Sequence, residues 1–157
     1  MLNLKQVATL IVAPSLEAIN AYSLVAEQLV MGTMAAESNF EHIKQIGSGP
    51  ARGLIQMEPA THDDIWENYL RYKPDLTSAL KRLTIRDVDL HDQLYGNMFY
   101  QAAMCRIHYL RQRESLPSAG NWSSIAAYWK KYYNTEHGAG TIDGFLQKVL
   151  PVIELYE

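Results

Sequence analysis

The sequence predicts a mainly α fold, one domain spanning residues 1–157, and three observations lead to it. Apolar residues recur at spacings of three and four along nearly the whole chain, with no period-two alternation long enough for a strand. Prolines and glycines cluster where this pattern breaks, cutting it into helix-length pieces. The 157 residues are 48% hydrophobic and 20% charged, an ordinary globular balance. A chain of that length buries about two thirds of the surface its unfolded form exposes.

The first helix covers about residues 4–13 and stops near Pro14, whose ring obstructs an α-turn. The second runs from about residue 16 or 21 through 38, with Leu24, Val25, Leu29 and Ala36 on its apolar face. Gly47, Ser48, Gly49, Pro50 and Gly53 then form a loop able to turn the chain back across the end of that helix. Pro59 suits the first turn of the next helix, with Asp63 and Asp64 toward its positive end and Arg71 and Lys73 toward its negative end, before a stop near Pro74. A short helix over about 77–83 leads to a long one over about 89–113. Leu90, Leu94, Met98, Ala102, Cys105 and Tyr109 make its core stripe, and Pro117 and Gly120 follow its end. Asn121 or Ser123 caps a helix carrying Ile125, Ala126, Trp129 and Tyr132, and Thr141 caps the last one, before Pro151.

Charge and composition exclude several partners. A net charge of −3 with scattered Lys and Arg offers no field for phosphate backbones, so nucleic acid is not expected. No apolar run approaches the roughly 18 residues of a membrane span, so membrane insertion is not expected either. Lys5 before the apolar run 7–13 superficially resembles a signal peptide, but Pro14 interrupts it and Glu17 stands where a small-residue cleavage site belongs; no signal peptide is expected. The single cysteine, Cys105, excludes an internal disulfide and reads as an inert buried thiol. His42, His62, His91, His108 and His137 lack the His-Glu-x-x-His spacing, and Asp87, Asp89 and Asp92 lack the glycine and glutamate of a calcium loop, reading instead as helix-capping acids. Neither a metal nor a cofactor is expected.

Chemistry concentrates in two segments, GTMAAESNF (32–40) and GSGPARGLIQMEPAT (47–61). Glu37 follows Met34, Ala35 and Ala36, and a carboxyl at the end of an apolar helix has its charged form disfavoured by desolvation. Such a group stays protonated near neutral pH and can act as a general acid on a glycosidic oxygen.

The ordered set Glu37-Ser38, Gly53-Leu54-Ile55-Gln56 and Pro59-Ala60-Thr61 resembles the catalytic region of lytic transglycosylases of the lysozyme-like superfamily. The likeness extends loosely from about 21 to 149 and is specific in its first third. It implies a lysozyme-like domain with the active-site glutamate ending a buried helix. The implied reaction is cleavage of the β-1,4 bond between N-acetylmuramic acid and N-acetylglucosamine in peptidoglycan glycan strands. Glu37 would be acid and then base, and the sugar's own 6-hydroxyl would close a 1,6-anhydro ring. Gln56 and the backbone around Gly53 would hold the glycan. Ser38 would orient Glu37 or satisfy a backbone group. Ala126-Ala127-Tyr128 looks like the family's Ala-Tyr-Asn motif, and Tyr128 would position Glu37 or the N-acetyl group.

Two positions depart from the pattern. Trp129 stands where the motif has Asn, leaving Asn134 and Gly138-Ala139-Gly140 as late substitutes. Glu58 stands where the family has an apolar residue, as a helix N-cap acid or as a second carboxylate that activates water. The latter would make an inverting muramidase, given carboxyls roughly 6.5–9.5 Å apart. A further alternative is a non-catalytic, lysozyme-like component of a phage particle. A single-domain form is similar to phage-encoded lytic proteins, implying other virion proteins as partners and delivery to the wall from a virion or the host cytoplasm.

Overall fold

The computed structural model describes residues 1–135 and 137–157. The chain enters as one continuous helical run. α1 (Leu4–Gln6), capped by Asn3, passes into a π-helical stretch, Val7–Val12, and on into α2 (Ala13–Ala18). The stop expected at Pro14 is not made. Proline lacks the N–H an α-turn would use, and the wider turn ahead of it, in which the Ala13 N–H reaches the Ala8 carbonyl, leaves Pro14 in the opening turn of α2.

α3 (Leu24–Ser38) starts later than residue 16 or 21 because Ser23, extended, caps it by accepting the Ala26 N–H at 3.1 Å. Every residue from 26 to 36 is buried, so this helix runs through the core rather than lying on it. Its polar groups are each satisfied there. Gln28 accepts the Gly120 N–H at 2.8 Å, and Glu27 accepts the hydroxyls of Tyr22 and Tyr156 at 3.0 and 2.8 Å. Asn39, left-handed at φ 51°, ends the helix.

α4 (Pro59–Asn68) closes earlier than expected and a 3-10 turn, Leu70–Tyr72, follows; Pro74 then opens α5 (Pro74–Lys81) rather than merely ending its predecessor. Asp63 and Asp64 lie past the first turn of α4 and meet side chains instead of the helix dipole: Asp63 the His62 and His91 rings, Asp64 the Arg111 guanidinium at 2.7 Å. The long helix expected over 89–113 is broken in two, α6 (Leu90–Gly96) and α7 (Met98–Leu110). Asn97 makes the break. Its side chain accepts the Tyr100 N–H at 3.1 Å and donates to the Leu83 carbonyl at 2.7 Å, so a buried asparagine offers the backbone an alternative to helix. Asp89 occupies the N-cap of α6 but makes no side-chain capping bond.

α8 (Trp122–Trp129), capped by Asn121, continues as a π-helical stretch, Lys130–Asn134. α9 (Ile142–Lys148) is capped by Thr141, and α10 (Leu150–Ile153) carries Pro151 in its first turn. α7, α8, α9 and α10 all pack on α3, and α7 contributes Ala102, Ala103, Met104, Cys105 and Ile107 to the core without exposure. Among the described residues the extended pairing is limited to isolated bridges, Lys44 with Arg52 and Arg52 with Met57, and no helix is long and apolar enough to cross a membrane.

Candidate active site

Glu37 lies in the last turn of α3, half-buried, its Oε1 accepting the indole N–H of Trp129 at 2.9 Å. Burial pushes its carboxyl above the ordinary range, while the Trp129 N–H and then the Lys148 ammonium act in the opposite sense. Both neighbours are placed by packing. Phe145 lies against the Trp129 ring, centroids 5.1 Å apart, and reaches α3 because residue 32 is glycine; a Cβ there would come within 2.7 Å of the Phe145 ring. Lys148, one turn further along α9, donates to the Ala36 carbonyl at 2.9 Å.

The loop facing Glu37 is a tight turn, Gly53 to Gln56, closed by the Gln56 N–H on the Gly53 carbonyl at 3.0 Å. Gly53 has φ +78°, and a Cβ on it would sit 2.2 Å from the Leu94 carbonyl oxygen, so only glycine fits against α6. Three anchors hold the turn. Gln101, fully buried, accepts the Leu54 N–H at 2.8 Å; Ser38 donates to the Leu54 carbonyl at 2.7 Å; Tyr133 donates to the Ile55 carbonyl at 2.7 Å.

Two cavities meet at Glu37. One, about 280 Å³, is lined by Gln56, Glu58, Thr61, His108 and Tyr133 among others; the second, about 300 Å³, by Trp129, Gly140, Thr141, Phe145 and Lys148 among others. Glu37 and Asn134 line both. The carboxyl thus stands partway along a cleft lined by a mixture of neutral polar and apolar side chains, with Glu58 on one side and Lys148 on the other.

The residues singled out in the sequence separate here into groups. Glu37, Gln56 and Glu58 share one cavity. Gln56, at a left-handed φ of 48°, spends its amide on the Gly53 carbonyl at 2.9 Å. Glu58 occupies the N-cap position of α4, yet its exposed carboxylate makes no capping hydrogen bond. Ser38 and Gly53 are buried, and both shape the turn rather than offer a surface to a ligand. Tyr128 goes elsewhere: its hydroxyl donates to the Glu114 carbonyl at 2.9 Å, and it lines a separate hollow with Glu114 and Lys131. Trp129, which breaks the motif, is the residue on Glu37, because the helical step of 100° between neighbours turns Tyr128 away as it turns Trp129 inward. Asn134, the residue considered as a late substitute, has Gly138 and Gly140 packed closely on it and lines both cavities.

Sequence reasoning missed two residues of the cleft and one cluster outside it. Tyr133 belongs to no motif in the sequence, and its bond to the turn depends on the π-helical register of 130–134. His108 lines the cleft as a neutral imidazole: burial, then Arg111, pull its pKa down to about 4, and Arg111 donates to its Nδ1 at 2.8 Å. Third, His62, Asp63 and His91 converge from α4 and α6, which a search for ligand spacing along one helix does not reveal. Comparison with family models, curated proteins and solved structures gives no match.

Proposed function

We propose that this chain cleaves peptidoglycan glycan strands between N-acetylmuramic acid and N-acetylglucosamine as a lytic transglycosylase, with Glu37 as the acid and then the base. The observation that carries this reading is a single carboxyl, held toward its protonated form by burial, at the junction of two cavities. A glycan threaded through both would present its bridging oxygen to Glu37. Protonation there lets the leaving sugar depart as an alcohol while the muramic N-acetyl oxygen closes on C1. The ionised Glu37, steadied by the Trp129 N–H, then takes the 6-hydroxyl proton, and that oxygen displaces the acetamido group to give the anhydro ring.

One observation favours a second reading. Glu58 lies in the cavity on one side of Glu37, free of a capping bond, where a carboxylate could activate water for hydrolysis. Mass spectrometry of muropeptides released from purified sacculi separates the two. Anhydromuramic ends are expected, reducing ends would establish the muramidase, and clearance by Glu37→Gln at the wild-type rate would sink both.

A further inference from the structure

We propose that His62, Asp63 and His91 form a binding site for a divalent transition-metal ion of the zinc class, clamping α4 to α6 outside the Glu37 cleft. His62 Nδ1 and His91 Nε2 lie 3.1 and 2.6 Å from the same Asp63 carboxylate oxygen, and the three donor atoms are all within 4.8 Å of one another. Tetrahedral zinc, with bonds of about 2.0–2.2 Å, sets donor separations of roughly 3.3–3.5 Å, so the cluster is already close to a coordination face. Two imidazoles and one carboxylate are a donor set suited to such an ion.

The surroundings also accommodate an ion. His62 is 1% exposed, and its Nε2 lies 2.7 Å from the Tyr100 hydroxyl, which also accepts the Trp66 indole N–H at 3.0 Å. Coordination through Nδ1 puts the imidazole proton on Nε2, where the Tyr100 oxygen can receive it, the outer partner a ligating histidine ordinarily has. All three residues line an open hollow of about 600 Å³, which leaves space for water or another ligand in the fourth position. Asp63, Glu67, Asp89 and Asp92 line that hollow against Arg52, whose charge is engaged by Asp92 at 3.2 Å, so the local field draws cations.

Zinc chloride titrated calorimetrically into chelator-treated full-length protein tests this. The wild type is expected to bind one equivalent and to melt several degrees higher with zinc. His91→Ala, at a half-exposed position that leaves the core intact, is expected to weaken binding at least about tenfold. Asp63→Asn should do likewise, and His42→Ala, which belongs neither to the cluster nor to the lining of the hollow, should bind as wild type. Circular dichroism of each variant before titration establishes that it is folded. No uptake by the wild type, or equal affinity in folded His91→Ala, would overturn the proposal and leave the triad as a hydrogen-bonded brace.

Discussion

Two carboxylates in this molecule, Glu37 and Asp63, are pushed in opposite directions by their surroundings. Glu37 is withdrawn from water and met by one neutral N–H and a more distant ammonium, so burial dominates and the protonated form is favoured. Asp63 is half-exposed and faces two imidazoles, and hydrogen bonds from His91 and then His62 hold it below the usual carboxylate range. The difference teaches which chemistry each place can support. A proton donor needs a dry wall with few compensating charges; a cation ligand needs a carboxylate kept ionised beside neutral nitrogen donors.

The largest expected effect comes from removing the proposed proton donor. Glu37→Gln is expected to lower the rate of sacculus digestion by roughly 10²- to 10⁴-fold, the contribution of a positioned general acid, while Asp63→Asn leaves it unchanged. Dye release from labelled sacculi reads both, and a comparable loss in Asp63→Asn would erase the contrast. Next is the turn that faces Glu37. Gly53→Ala forces a left-handed alanine against the Leu94 carbonyl and is expected to cost roughly 2–5 kcal/mol in denaturant unfolding.

Trp129→Phe keeps the aromatic packing but deletes the N–H that stabilises ionised Glu37. A fall in kcat/KM on the order of tenfold is expected, equivalent to about 1.4 kcal/mol, with the alkaline limb of the pH profile moving upward because the carboxyl becomes harder to ionise. A limb that stays in place would detach Trp129 from the acid.

The smallest effect is on stability, and its sign follows from the raised pKa. Ionising Glu37 costs more in the folded state than in the unfolded one. The wild type therefore gains stability from this group as pH falls through the folded value toward the unfolded one. Glu37→Gln should melt higher than wild type at neutral pH, by about 2–4 °C per kcal/mol relieved, with the gap closing in acid. Asp63 works oppositely: its contribution is present above the unfolded value and fades as pH falls through the folded one. Thermal melts of Asp63→Asn should therefore differ from wild type at neutral pH and converge in acid.

The helical class, the caps at Asn121 and Thr141 and the role of α3 as the carrier of Glu37 were legible because they rest on local rules of periodicity and side-chain capping. Asn121 and Thr141 announce their helices within three residues of themselves, whereas Ser23 goes unread as the start of α3 because apolar residues continue the pattern ahead of it. The break at Asn97 was not legible, since its side chain bonds Leu83, fourteen residues back, and the apolar stripe runs on through it. In the candidate site, Glu37 and Gln56 stand out through their neighbours in sequence, whereas Trp129 reads only as a departure from a motif that has Asn there. What decides its role is the direction α8 faces after packing on α3. The π-helical stretches defeat sequence reading for a related reason: a wider turn shifts every following side chain around the axis, and nothing in composition marks where it begins.

Cys105 is the chain's one cysteine and has no exposure in the folded state, and burial raises its thiol well above the ordinary value. An alkylating reagent can therefore reach it only when α7 leaves the core. The protein carries an internal clock for its own opening events: the rate at which it takes up iodoacetamide reports how often the helix bundle comes apart, with no label to install.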